Sequence, residues 1–158
     1  MIKCDDAIAI ERSPADVFAF VADISNIPKW QTEVLQSKVL TPGATRVGTR
    51  YTEQIKMGST HVNATCEVVD FVPGSMMGFT ASSPAIEYRG RLLVEPWQMG
   101  SRLTMTGTAR LKGWRKLMQP VMQRELRNVL RNELVTLKTI LEAERTVAPR
   151  ELKIARPA

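Results

Sequence analysis

With 158 residues, 44% of them hydrophobic and 24% charged, the chain suits one globular domain, and no apolar run approaches the ~18 residues that would cross a bilayer. Its net charge is +6, about half of it in residues 145–158, and the basic residues lack aromatic interleaving, so no nucleic-acid partner is expected. One histidine, His61, and two distant cysteines, Cys4 and Cys66, do not make a zinc site, so neither metal nor cofactor is expected.

The first element is a half-buried strand in which Ile2, Cys4, Ile8 and Ile10 alternate with polar residues. Its Cys4-Asp5-Asp6 opening carries acids where an export signal needs an apolar stretch, so a cytoplasmic protein without integral membrane association is expected. Ser13-Pro14-Ala15-Asp16 then reads as a helix start. Ser13 can cap free N–H groups, Pro14 suits the first helical position, and Asp16 complements the helix dipole. Val17, Phe18, Phe20 and Val21 supply the buried side, and a second short turn is expected over Ile27-Pro28-Lys29-Trp30-Gln31.

From Glu33 to Arg110 the period drops to two, with strands expected at 33–40, 48–57, 60–72, 75–82, 86–95 and 101–110. Turn residues separate them, among them Thr41-Pro42-Gly43, Met57-Gly58-Ser59, Val72-Pro73-Gly74 and Met99-Gly100. The gaps are too short for parallel crossovers, so neighbouring strands should pair antiparallel. From Trp114 to about Glu144 the spacing is helical: Leu126, Leu130, Leu134, Leu137 and Leu141 form a stripe, with Arg124, Arg127, Arg131 and Lys138 on a solvated basic face. Pro120 should interrupt this helix, and before it Trp114, Leu117, Met118 and Val121 form an apolar side of different phase. Residues 145–158 have no apolar periodicity and read as a basic, disordered tail.

The order of these elements is joined by particular residues: Ile8-Ala9-Ile10, Ser13 to Phe18, Asp23 to Trp30, Val47 to Tyr51, and the closing run Glu133 to Glu142. With them the chain resembles the START-like superfamily of polyketide cyclases, dehydrases and lipid-transfer proteins (SRPBCC) over about residues 2–144. The resemblance implies an α+β helix-grip fold. In it a bent seven-stranded antiparallel sheet wraps around a long C-terminal helix, two short helices follow the first strand, and residues 1–144 form one ligand-binding domain with a cavity between sheet and helix.

Strand alternation nominates the inward residues. Tyr51, Glu53 and Ile55 share one face, as do Ala64 and Cys66, Tyr88 and Leu92, and Leu103 and Met105. Small residues on that face, Ala64, Gly90, Gly107 and Ala109, would leave volume unfilled. Candidate ligand-binding residues are Tyr51, Glu53, Ile55, Ala64, Tyr88, Leu92, Leu103, Met105, Met118 and Met122. Glu53 either faces inward, where burial raises its pKa, or escapes through a bulge or an arginine pair. Tyr51 and Tyr88 are hydroxyl donors or ordinary buried tyrosines, the methionines an adaptable wall or plain core, and Glu125 looks into the cavity or caps its mouth. His61 is on the outward phase.

The leading reading is binding or transport of a hydrophobic or aromatic small molecule, lipid- or polyketide-like, without a covalent step. Its first rival is an enzyme of the polyketide cyclase/dehydratase type in the same pocket, with Glu53 and the tyrosines steering enolisation. A second rival is a protein-interaction domain with a filled interior. Homodimer formation stays open.

Overall fold

The computed structural model describes the backbone of residues 1–154 and the side chains through Glu144. Strand β1 (Ile2–Ile10) leads into α1 (Pro14–Ala22), which starts as its capping residues dictate: Ser13 Oγ accepts the Asp16 N–H at 3.2 Å, and Pro14 occupies the first turn. A 3-10 turn (Ile24–Asn26) follows, opened by Asp23 Oδ1 accepting the Ser25 N–H at 2.9 Å, and then α2 (Ile27–Trp30). The strands β2 (Val34–Val39), β3 (Arg50–Met57), β4 (Thr60–Val72), β5 (Met76–Ser82), β6 (Ile86–Trp97) and β7 (Gly100–Leu111) form a meander. They make one seven-stranded sheet in the order β1-β7-β6-β5-β4-β3-β2, and every neighbouring pair is antiparallel.

Register shifts between Val34 and Gln36 in β2 and between Val68 and Asp70 in β4 are bulges, which increase local twist and let a sheet curve. Between β3 and β4 only Gly58 and Ser59 turn the chain, and Gly58 takes a φ of 62°, a conformation that glycine adopts without Cβ strain. The long helix α3 (Gln119–Ile154) lies on the inner face of the sheet. Its Leu130, Leu134, Leu137 and Leu141 are buried in one core with Tyr51, Ala64, Cys66, Leu92, Leu103 and Met105. The leucine stripe thus faces the sheet, as its spacing requires.

Two expectations for this helix are corrected. The helical segment does break near Pro120, but the part before it is a 3-10 helix (Gly113–Met118) and not α-helical, and Pro120 sits in the first turn of α3, where its missing N–H costs nothing. Trp114, Leu117, Met118 and Val121 are exposed, by 67%, 86%, 41% and 60%. Their phase differs from that of the leucine stripe, so the seam that buries Leu130 onward does not also bury them. The basic face is not simply solvated either. Gln123 Nε2, Arg131 Nη1 and Lys138 Nζ donate to the Lys3, Ala7 and Ala9 carbonyls at 3.1, 3.4 and 2.6 Å. Side chains of α3 thereby cover the open edge of β1, which would otherwise present unpaired carbonyls.

Among the described residues no helix is long and apolar enough to cross a membrane. The basic tail expected at 145–158 falls on side chains outside the described residues, and α3 carries the backbone as far as Ile154.

Candidate functional site

The inner face of the sheet is built by register. Tyr51 pairs with Cys66 and Glu53 with Ala64 across β3 and β4; Leu92 pairs with Met105 across β6 and β7. β3 keeps its pairing with β4 from Arg50 to Met57, so no bulge turns Glu53 outward. Arg50, one residue out of phase, is exposed and pairs with Glu67 at 3.3 Å. Among the described residues Glu53 has no ion pair, and it is only 9% exposed. Of its alternatives, the inward one holds.

A second carboxyl group meets this surface from the other side. Glu133 of α3 is 8% exposed, and no hydrogen bond or ion pair joins it to another described residue. Burial raises the Glu133 pKa to about 8, with Glu53 and then Glu33 adding repulsion. Burial likewise raises Glu53, to about 7, against a hydrogen bond from the Cys66 thiol that pulls it down. The phenols of Tyr51 and Tyr88 and the thiols of Cys4 and Cys66 are all pushed up by burial, so each is neutral at physiological pH. Negative charge on Glu53 contributes to the rise at Tyr51, Cys66, Tyr88 and Glu133, which ties these groups into one neighbourhood. The site is therefore a buried acidic and phenolic cluster between β3, β4, β6, β1 and α3, without a cation among its interacting groups apart from Arg127, which acts on Cys4.

Glu133 was not among the sequence candidates. Its signal was present: it lies three residues after Leu130 and four before Leu137, on the stripe itself. The other candidates separate into two groups. Tyr51, Glu53, Ala64, Leu92, Leu103 and Met105 are buried in the main core, with Ile55 and Tyr88 packed against it. Met122 packs with Leu126 on a smaller cluster of Ile2, Ala109 and Leu111. Met118 is exposed on the 3-10 helix, and Glu125 is exposed on α3.

The inner glycines do not leave open space. A Cβ on Gly107 would overlap the Tyr88 hydroxyl and ring, and one on Gly90 would lie 2.5 Å from Phe79 Cζ and 2.8 Å from Tyr88 Cε1. Glycine is needed there because Tyr88 lies across both positions. Close to Tyr88, the Cys4 thiol donates to the Gly107 carbonyl at 3.7 Å. Deeper under α3, Trp30 Nε1 is buried without a hydrogen-bond partner among the described residues.

Open concavities border the sheet among the described residues. One of about 320 Å³ is lined by Gln36, Lys38, Thr52, Glu53, Gln54 and Asn63. Another, of about 570 Å³, runs over the backbone of Gly78, Gly90 and Gly107 between Lys3, Asp5, Asp70, Arg89 and Arg91. Most of their lining residues lie on the outward phase, away from α3.

Comparison with known proteins follows the same lines. The chain resembles a START superfamily protein from Mycobacterium smegmatis with a TM-score of 0.78 at 11% identity, covering 89% of this chain and 97% of that one. It resembles TTHA0849 from Thermus thermophilus with a TM-score of 0.67 at 18% identity, over 88% and 97% of the two chains. A third similar structure is the di-domain ARO/CYC BexL from the BE-7585A biosynthetic pathway, with a TM-score of 0.71 at 20% identity; the match covers 90% of this chain and 47% of that one. These likenesses show the fold. No curated protein matches the sequence. A family model described as polyketide cyclase/dehydrase and lipid transport matches residues 1–142, and the chain belongs to that family.

Proposed function

We propose that the chain binds a hydrophobic or aromatic small molecule, lipid- or polyketide-like, between the inner sheet face and α3. The observation that carries this reading is the pair Glu53 and Glu133, two buried carboxyl groups that form no ion pair among the described residues. Burying such groups costs stability, and apolar residues of similar shape would pack without that cost. Groups kept at that cost, with raised pKa values, are candidates for contact with a ligand. The family description points the same way, as does the fold shared with the di-domain ARO/CYC BexL. Access would come from Tyr88: swinging its ring away from Gly90 and Gly107 frees the space that it fills.

The test is titration with N-phenyl-1-naphthylamine, a neutral apolar dye. Saturable one-to-one binding is expected, and Ala64→Phe, which fills the inner face opposite Glu53, should abolish it while a cooperative melt is retained. Ala64→Leu is the milder filler should Phe disturb the fold. An unsaturable signal in the native protein, or undiminished binding in a folded filled variant, overturns the reading.

A second reading, an enzyme of the cyclase or dehydratase type, is favoured by one observation. With values of about 7 and about 8, Glu53 and Glu133 supply an accepting and a donating carboxyl at neutral pH. Glu53 as carboxylate would remove a proton α to a ketone, and Glu133 or a tyrosine hydroxyl would donate a hydrogen bond to the enolate oxygen. Glu53→Gln should then cut turnover of a poly-β-ketone substrate and leave its binding unchanged. Lost binding with unchanged turnover per bound molecule refutes the catalytic role.

A further inference from the structure

The interior places two carboxyl groups on facing elements, and no described residue forms an ion pair with either. Glu53 comes from β3, and Glu133 from the buried stripe of α3, and both belong to the surfaces that close on each other. The Cys66 thiol acts on Glu53, and Glu53 and then Glu33, ahead of β2, act on Glu133, while the two carboxyls act in turn on Tyr51, Tyr88 and Cys4. None of these carries positive charge. The cations on neighbouring elements are committed elsewhere or lie outside: Lys29 of α2 donates to Asn26 Oδ1 at 2.7 Å, Arg131 and Lys138 cover the β1 edge, Arg127 is exposed, and Lys38 of β2 is exposed and borders the open concavity that Glu53 also lines, without an ion pair to it. Glu133, more than nine-tenths buried, has no partner among the described residues. Protein interiors rarely leave a buried carboxyl without a hydrogen bond, and an ionised one requires a cation or several donors.

We propose that the molecule held between sheet and α3 carries a basic nitrogen on its apolar body, and that this nitrogen, as an ammonium group, seats between Glu53 and Glu133. The inference rests on the ligand-binding reading above and specifies the ligand's class. A neutral ligand of the same shape can hydrogen-bond to the carboxyls but brings no charge to balance them, so the pair's mutual repulsion stays in place. An ammonium group offers several N–H donors and the charge that lets both carboxyls ionise, forming charge-assisted hydrogen bonds in a water-poor setting. The phenol rings of Tyr51 and Tyr88 add faces over which a cation is attracted. An anionic ligand is excluded from the same place by the same charge.

Binding would release the protons that the unliganded carboxyls hold. The sign follows: affinity for the amine tightens as pH rises from about 6 to about 8.5, while both carboxyls lose protons and an alkylamine keeps its own. A neutral ligand shows no such rise.

The test compares dansylcadaverine, an apolar fluorophore whose alkyl chain ends in a primary amine, with its N-acetyl derivative, which is neutral. The amine should bind the native protein at least about tenfold more tightly at pH 8. Calorimetry in two buffers of different ionisation enthalpy should show proton release with the amine only. In Glu133→Gln and Glu53→Gln the preference should shrink to within about threefold while the acetylated probe still binds. Equal affinity for the two probes, or no proton release on binding the amine, overturns the basic-nitrogen proposal and leaves the apolar pocket standing. Failure of both probes to bind the native protein overturns the pocket reading, and this proposal with it. The calorimetric arm uses only the native chain, so a variant that folds poorly does not shield the proposal.

Discussion

Glu53→Gln offers the clearest physical test of the buried cluster, because the change keeps shape and removes titration. In the native state the Glu53 pKa stands at about 7 instead of the ordinary 4.5, chiefly through burial. Between those values the unfolded chain has an ionised Glu53 and the folded chain a protonated one, so unfolding releases a proton. Stability contributed by this group is full below pH 4.5 and falls as pH rises towards and through about 7. The loss is about 3 kcal/mol for Glu53 alone. Glu133, raised to about 8, extends the falling window upward. Part of its rise comes from charge on Glu53, so the two losses are shared and total on the order of 5 kcal/mol. A glutamine at 53 cannot ionise, and its amide brings two N–H donors into a site that held a protonated carboxyl group with one O–H, a cost of about 1 kcal/mol. Urea denaturation at pH 5 and pH 8.5 should therefore show the variant slightly weaker than native at the acid end and more stable at the alkaline end. The difference between the two proteins should move by about 3 kcal/mol in the variant's favour. A difference that stays constant between the two pH values, or moves towards the native protein, would refute a buried, protonated Glu53.

Gly107→Ala should destabilise by about 1–3 kcal/mol through overlap with Tyr88, and most of that cost should vanish in the Tyr88→Ala background; thermodynamic additivity in a double-mutant cycle would mean that the ring does not lie over Gly107. Lys138→Met removes the donor at the Ala9 carbonyl and should cost about 1 kcal/mol, read as a lower urea midpoint with an unchanged slope, and an unchanged midpoint would show that the edge of β1 needs no cover there. Deleting residues 146–158 should leave the melting temperature nearly unchanged, because that segment brings no apolar stripe to the sheet; a fall of more than a few degrees would show that it docks.

Much of the fold could be read without coordinates. Period-two alternation and Gly/Pro breaks place β3 to β7 within a residue or two of where they lie, and Ser13-Pro14 and the leucine stripe mark helix starts and faces, because these signals are local. Alternation also turned Tyr51 and Glu53 inward, since a strand that keeps register cannot do otherwise. Tertiary structure alone decided the rest. Tyr88 fills the space over Gly90 and Gly107 because β6 and β7 set those two glycines side by side and the tyrosine ring leans over both, which no spacing along one strand discloses. Arg131 and Lys138 cap β1 because α3 crosses that edge and not another. Glu133 is a candidate site residue only because the stripe that carries it lands on the sheet where Glu53 points. A helical phase says which residues are buried together; the partner surface decides what chemistry their burial creates.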